Sequence, residues 1–229
     1  MDTKIRLSNE ERRAAIVRAV RRVFAERGFH GTTTRALADA AGVSEALLFK
    51  HFPNKEALFS AMKLSCCAGK DQGKLERLHA LEPGASTLVV MVHFMVSRIL
   101  GCNADDDELA IHNRLMLRSL AEDGEFARLA LRGMAEHWVP KVGECLKAAV
   151  ATGEALPGPV RAISAAWFAQ HLPATIASYL LPSTPVIAYG LSREKVVEQA
   201  VWFILRGMGL REDVIERHYN AQALALLEG

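Results

Sequence analysis

The sequence of 229 residues lacks most features that mark secreted, membrane-spanning or disordered proteins. Four cysteines are too few for a disulfide framework in a chain of this length, which predicts reduced thiols. The longest apolar stretch, Leu88 to Val96, is interrupted by His93 and is shorter than the ~18–20 residues that cross a bilayer. Residues Met1 to Arg6 carry charge where a signal peptide needs an apolar run. These shortages predict a cytoplasmic protein with no membrane partner.

Proline is also scarce, and its first occurrence is Pro53. Before it, apolar residues recur with helical spacing, Ser8 and Glu11 form a capping-box pattern, and Gly28 is a natural helix stop. Longer helices are predicted beyond residue 80. They are Ser86–Leu100, Asp106–Ala121, Glu125–Ala151 with a bend at Pro140, Pro159–Leu181 with a bend at Pro173, Ser192–Met208 and Glu212–Leu227. The sequence therefore predicts an all-α fold.

Charge is distributed unevenly along this chain of ordinary globular composition, of which 50% is hydrophobic and 24% charged. Residues 1–60 hold eleven basic and seven acidic side chains, a net charge of +4. The other 169 residues hold seventeen basic and nineteen acidic side chains, a net charge of −2. This asymmetry indicates a basic head, residues 1–60, on a near-neutral body, although a few lysines on a solvated face would give the same count.

The segment from Thr33 to Phe52 has the form of a helix-turn-helix. Thr33 is placed to cap the first helix and Ser44 the second, and Gly42 supplies the positive φ that reverses the chain. If Val43, Leu48 and Phe52 face inward, the remaining positions of the second helix face outward, because they lie on the opposite arc at 3.6 residues per turn. These outward residues are Glu45, Ala46, Phe49 and Lys50. A plain helical hairpin is the alternative, and the basic head favours DNA binding over it.

From about Glu11 to Met62 the sequence resembles the DNA-binding domain of TetR-type transcriptional regulators. The matching stretches are Phe24 to Phe29, Thr33 to Ala38, Ala41 to Ser44 and Phe49 to Leu58. The family often has tyrosine where this chain has Phe49, and a small or hydroxylated residue where it has Leu47. These two departures affect the prediction of which DNA sequence is bound, and not the prediction that DNA is bound.

The resemblance implies a palindromic operator in double-stranded DNA as a partner. It places threonine hydroxyls and helix amides at phosphates, the first residues of the second helix at base edges, and lysine and histidine at the DNA backbone. The residues that it assigns to DNA are Thr33, Thr34, Arg35, Ser44, Glu45, Ala46, Phe49, Lys50, His51 and Lys55. No catalytic motif or Cys/His spacing for zinc is found, so no catalytic residue, metal or cofactor is expected.

The resemblance also implies two domains, a helix-turn-helix domain over residues 1–55 and a helical effector-binding and dimerisation domain over residues 56–229. Helices 159–181 and 192–208 are apolar over a wider arc than packing on one side requires. A helix in the centre of its own domain and a homodimer interface both fit this pattern, and the family favours the homodimer.

An effector site is predicted from polar and aromatic side chains that lie in apolar helices of the body. Each of them alone fits an internally bonded core residue, but together they indicate a mostly apolar cavity for a small aromatic or aliphatic effector. The set is His93, Arg114, His137, Trp138, Trp167 and His171.

The function that these patterns favour is a transcriptional regulator, a homodimeric repressor that a small effector releases from its operator. Three alternatives remain open: a thiol-based redox sensor, an all-α enzyme, and a constitutive DNA-binding protein. Cys66 and Cys67 are adjacent, where a disulfide is strained, so buried thiols are favoured over a redox switch. Gly69 and Gly73 predict an end or bend of the fourth helix between head and body.

Overall fold

The computed structural model describes residues 8–67, 72–101, 106–220 and 224, and helices make up all of their regular structure apart from one antiparallel bridge between Ala155 and Leu210. The helices are α1 (Asn9–Arg27), α2 (Thr34–Ala41), α3 (Glu45–His51), α4 (Lys55–Cys67), α5 (Gln72–Ala80), α6 (Ala85–Leu100), α7 (Asp106–Ala121), α8 (Glu125–Gly133), a π-helical turn (Met134–Trp138), α9 (Val139–Ala151), α10 (Ala162–Leu180), α11 (Arg193–Gly207) and α12 (Glu212–His218). The predicted all-α fold is confirmed.

Local signals at the ends of α1 act as predicted. The Ser8 amide donates to Glu11 Oε2 at 2.8 Å, and the Glu11 amide donates to Ser8 Oγ at 3.2 Å. The hydrogen bonds from Ser8 lower the pKa of the Glu11 carboxyl, because they stabilise its charged form. At the other end Gly28 has φ 70° and ends the helix.

The predicted bend at Pro140 is a π-helical turn that separates α8 from α9. Proline has no amide hydrogen, and its ring crowds the carbonyl four residues before it. The backbone widens just before the proline, and the Val139 amide donates to the carbonyl of Met134, five residues back. The predicted continuous helix over residues 125–151 is therefore three elements.

The bounds of three other helices differ from the prediction. Helix α10 begins at Ala162, three residues after the predicted Pro159, and α12 ends at His218. Helix α5 was not predicted as a separate element, and Gly73 is its second residue. Gly69 lies outside the described residues.

The described chain divides into two compact units, and the division differs from the predicted boundary at residue 55. The first unit holds residues 8–67 and 110–130, and the second holds 72–101, 106–109, 131–220 and 224. Residue 55 is the first of α4, whose Leu58 and Met62 are buried with the preceding helices. Helix α4 thus completes the core of the first unit.

The core of the first unit is formed mainly by one face of α1, which packs against α2 and α4. Val20, Phe24 and Leu37 are fully buried there. Burial of one such side chain stabilises the fold by about 1.5–3 kcal/mol.

Helix α6 is the centre of the second unit and contacts α9, α10, α11 and α12. It includes the apolar run from Leu88 to Val92, in which only Val90 is not fully buried, so the helical interpretation of that run is confirmed. No helix in the described part of the chain is long and apolar enough to cross a bilayer.

Candidate nucleic-acid interface

The turn between α2 and α3 has the geometry that the helix-turn-helix pattern predicts. Gly42 adopts φ 63° and ψ 32°, a left-handed conformation that costs glycine little. The Val43 amide donates to the Ala38 carbonyl at 3.0 Å, which closes the turn. Ser44 caps α3 by accepting a hydrogen bond from the Leu47 amide at 3.2 Å. These contacts fix the direction in which α3 leaves the turn.

Helix α3 has one buried and one exposed side. Leu48 and Phe52 are 2% and 1% exposed, and Val43 is half-buried against the same core. On the opposite side Glu45, Ala46, Phe49 and Lys50 are exposed, and His51 is half-buried. This outward face is the one that the sequence predicts.

The first turn of α2 lies beside the first turn of α3. Thr33 caps α2 and accepts from the Ala36 amide at 3.2 Å, and Arg35 is exposed. The Thr34 hydroxyl donates to Glu45 Oε2 at 2.8 Å, so the two helix starts are tied together through a side-chain pair. The threonine hydroxyls and the Glu45 carboxylate therefore also hold the motif in shape.

Lys55 is placed differently from the other predicted DNA contacts. Its ammonium donates to the carbonyls of Phe29 and Thr32 at 3.0 and 3.1 Å, and it lies 4.2 Å from the centroid of the Phe29 ring. Two of its three N–H bonds are thus used inside the unit. Lys55 fastens the loop before α2 to the start of α4.

Arg13 and Arg21 also position the motif, and neither role is predicted from the sequence. Arg13 donates to the His51 carbonyl, and its guanidinium lies 4.1 Å from the centroid of the Phe52 ring, so a cation of α1 meets the last turn of α3. Arg21 donates to Ser65 Oγ at 2.7 Å and links α1 to α4. The partners are 38 and 44 residues away in sequence, and no local pattern connects them.

The segment that contains the helix-turn-helix is similar to known proteins. Residues 16–62 match the family model described as bacterial regulatory proteins of the tetR family. Over 59 residues the chain is 44% identical to the HTH-type transcriptional repressor AcnR of Corynebacterium diphtheriae, a match that spans 24% of this chain and 31% of AcnR. Residues 16–62 belong to the TetR family of bacterial regulatory proteins.

Another relative of this chain is named an activator. The HTH-type transcriptional activator FasR of Mycolicibacterium smegmatis is 40% identical over 57 residues, which cover 25% of this chain and 26% of FasR. The chain spans about a third or less of the length of these two curated relatives. The sequence likeness to AcnR and FasR thus covers a minor part of each chain.

Solved structures of bacterial regulators share the fold over most of the chain. AibR, in a crystal structure with isovaleryl coenzyme A and operator DNA, superposes with a TM-score of 0.62 at 19% identity, and the match covers 84% of this chain and 97% of AibR. FadR of Bacillus subtilis, in complex with stearoyl-CoA, superposes with a TM-score of 0.60 at 15% identity, covering 85% of this chain and 98% of FadR. At these identities the likeness concerns the fold.

The side chains predicted to line an effector site are divided between the two compact units. Arg114 lies in the first compact unit, and the other five lie in the second. His93 and Trp138 are buried, whereas Arg114, His137 and His171 are exposed. The set makes one internal contact among those described, the stacking of Trp167 on His171 with ring centroids 6.3 Å apart.

His93 is the most deeply buried ionisable member of that set. Its ring lies 5.7 Å from the Tyr219 ring, and its Nε2 is 3.4 Å from the Ser97 hydroxyl. Burial lowers the pKa of His93 to about 4, because the charged form is poorly solvated there. His93 is therefore neutral at pH 7 and joins α6 to the segment after α12.

Two cysteine side chains, Cys66 and Cys145, lie within the described residues. Burial raises the pKa of the Cys145 thiol, which leaves little thiolate. The half-buried Cys66 lies 3.6 Å from the sulfur of Met62. The side chain of Cys67 and all of Cys102 lie outside the described residues. No group of three or more His, Cys, Asp or Glu side chains within the described ranges is arranged to hold a metal ion.

Proposed function

We propose that this chain is a DNA-binding transcriptional regulator that reads its operator with the exposed face of α3. The observation that carries the proposal is the arrangement of α3, which rests on Leu48 and Phe52 and presents Glu45, Ala46 and Lys50 to solvent. The major groove is about 12 Å wide and admits a helix presented in this way. The net charge of +4 over residues 1–60 supports the same partner, because phosphates supply most of the affinity for DNA.

Binding as a homodimer through residues 159–181 and 192–208 is the second part of the proposal. Phe168 on α10 and Phe203 on α11 are 61% and 70% exposed, and large aromatic side chains in solvent are typical of an interface. A two-fold dimer carries two copies of α3 and matches a palindromic operator whose half-sites lie about 34–36 Å apart. The proposal therefore also specifies the distance between the two half-sites of the operator.

The third part is repression that a small, largely apolar effector relieves. AibR and FadR share this fold and were solved with acyl-coenzyme A ligands, which supports a small-molecule effector here. An effector lowers DNA affinity only by as much as it prefers the conformation that does not bind DNA. A ligand that binds tightly and leaves operator affinity unchanged is therefore not the regulator.

Selection of bound DNA from a random library tests the proposal, using the full chain at low ionic strength. We expect enrichment of a palindrome with half-sites one helical turn apart, or a multiple of that distance. A reporter gene behind the selected site should be silenced by the protein, and mass spectrometry of co-purifying molecules should find the effector. Retention of no DNA would overturn the proposal, and activation of the reporter would overturn its repressor part.

The Lys50→Ala variant should lose phosphate contacts without losing sequence preference. Each lost contact reduces the slope of log affinity against log salt by about 0.9, so a dimer with two bound heads should lose about two units of slope. Fluorescence anisotropy on the selected operator between 50 and 200 mM salt measures this slope. Lys147→Ala, an exposed lysine of the second unit, is the control and should leave the slope unchanged. An unchanged slope in Lys50→Ala contradicts the phosphate assignment.

The Glu45→Gln variant should change which bases are selected. A carboxylate at the start of α3 accepts a hydrogen bond from cytosine N4, and the amide of glutamine favours adenine instead, a discrimination worth about 1–3 kcal/mol per contact. Glutamine keeps an oxygen for the Thr34 hydroxyl, so the pairing of the two helix starts is retained. Repeated selection measures the change, and Thr34→Val separates the loss of that hydrogen bond from the loss of base contact. An identical selected sequence would show that Glu45 reads no base.

A further inference from the structure

Helix α11, in the second compact unit, carries an open groove along its exposed side. The described residues that line this groove all belong to α11, so within that part of the chain the groove has a single wall. They form two rows of residues four positions apart, which is the spacing of one helix face. The first row is Glu198, Trp202 and Arg206, and the second row is Gln199, Phe203 and Gly207.

The centre of this α11 face is aromatic. The Trp202 ring is half-buried and packs against Tyr219 of the same chain, with the ring centroids 6.5 Å apart. The neighbouring Phe203 ring is 70% exposed. Adjacent large rings are typical of the buried centre of a protein interface, where they withdraw a large apolar area from water.

The two ends of the first row carry opposite charges. Glu198 lies four residues before Trp202 and Arg206 lies four residues after it, so each charged residue is about 6 Å along the helix axis from the tryptophan. A second copy of this helix that runs in the opposite direction brings its arginine to Glu198 and its glutamate to Arg206. A copy that runs in the same direction places like charges together, which costs free energy.

Each of these charges also has a partner in its own chain. Lys195 Nζ lies 2.7 Å from Glu198 Oε2, and an Arg206 nitrogen lies 2.6 Å from Glu212 Oε2. The four side chains are between 34% and 60% exposed, so both pairs lie at the surface. A carboxylate accepts more than one hydrogen bond and a guanidinium donates up to five, so both pairs can extend to a second chain without being broken.

Gly207 leaves an open position at the end of the second row. Its φ lies outside the left-handed region, and a Cβ placed there would meet no described atom within 4 Å. The described part of the chain therefore does not require glycine here, although glycine is among the least favourable residues in a helix. In an antiparallel pair of α11 helices Gly207 lies level with the partner's Gln199, so the missing side chain leaves room for a long one.

We propose that α11 pairs with α11 of a second copy in antiparallel orientation, across a two-fold axis that passes beside Trp202 and Phe203. The four rings form the buried centre. Two contacts between Glu198 and the partner's Arg206, one at each end, fix the direction of pairing. The inference rests on the homodimer of the proposed function and adds its geometry, a self-complementary helix pair in place of contacts between α11 and the partner's α10 alone.

Charge reversal tests the direction of pairing, with sedimentation velocity of the full chain over a range of concentrations as the measurement. Glu198→Arg and Arg206→Glu should each weaken the dimer at least about tenfold, because symmetry turns two attractive contacts into two repulsive ones. The double variant should return to within about threefold of the unsubstituted chain, since the contacts between chains are then attractive again. It still lacks the pairs with Lys195 and Glu212, so restoration cannot come from contacts within one chain.

Two further variants separate pairing from folding. Glu216→Arg, on the exposed side of α12, is the matched control and should dimerise normally. Gly207→Leu should weaken the dimer about tenfold or more by filling the room that the partner needs, yet should not destabilise the monomer, because leucine favours a helix over glycine.

The outcomes distinguish this pairing from the homodimer itself. Single charge variants that dimerise normally, or a double variant that is no better than the single ones, overturn the antiparallel pairing and leave the homodimer standing. An unsubstituted chain that stays a monomer overturns the homodimer of the proposed function and this inference with it.

Discussion

Phe203→Glu should convert the proposed dimer into a monomer and reduce operator affinity at least about a hundredfold. Phe203 is 70% exposed on α11, the largest exposed fraction among the large apolar side chains described. In the proposed two-fold interface one substitution acts twice, so two carboxylates would be buried where two rings would otherwise pack. Loss of a central aromatic anchor costs about 2–4 kcal/mol by itself, and the buried charges add to it.

Sedimentation velocity measures the oligomeric state, and titration of the selected operator measures the affinity. A monomer binds only one half-site. Its affinity falls because a second recognition helix is no longer held at a high effective concentration near the second half-site. Leu120→Glu on α7 is the matched control, because that leucine is 66% exposed and lies outside the two proposed interface helices. A Phe203→Glu protein that remains a dimer with normal operator affinity would exclude α11 from the interface.

The parts of the fold that could be predicted are those determined by neighbouring residues. The capping box of Ser8 and Glu11, the left-handed Gly42 and the caps at Thr33 and Ser44 each act within three or four positions along the chain. The exposed face of α3 follows from the same local logic, since the buried Leu48 and Phe52 leave only one side for solvent. For this reason the exposed side chains of α3 could be predicted from the sequence.

The roles that could not be predicted depend on partners far apart in sequence. Arg118 binds the carbonyl of Glu26 across 92 residues, and Lys55 binds that of Thr32 across 23. A lysine or arginine at a helix end fits a phosphate contact and an internal carbonyl contact equally well, because both oxygens accept the same hydrogen bond. The choice is made by tertiary packing, which a single sequence does not contain.

The predicted effector set illustrates the same limit. Polar side chains such as His137 and His171 occur in apolar stretches of sequence, but the structure places both at the surface. Their helices are apolar on more than one side, so the pattern did not decide which arc faces the core. Among the three histidines of the set, His93 on the central helix α6 is the buried one.

Lys55→Met should lower the free energy of unfolding by about 2–3 kcal/mol and leave the salt dependence of DNA binding unchanged. The substitution removes two charge-assisted hydrogen bonds, to the carbonyls of Phe29 and Thr32, each worth up to about 1.5–3 kcal/mol where water is excluded. Methionine keeps an apolar stem of similar length on the Phe29 ring, so little packing is lost with the charge. The effect falls on the loop that leads into α2, and therefore on the whole motif.

Urea titration followed by circular dichroism measures the stability, with Lys50→Met as the matched control. Lys50 is exposed, and its replacement should change the free energy of unfolding by less than about 0.5 kcal/mol while it lowers the salt slope. The two lysines should thus separate cleanly, one acting on stability and the other on phosphate binding. Normal stability together with a reduced salt slope in Lys55→Met would contradict this expectation. It would mean that the Lys55 ammonium of the unsubstituted protein leaves the two carbonyls to contact DNA, because a phosphate contact changes the salt slope and an internal contact does not.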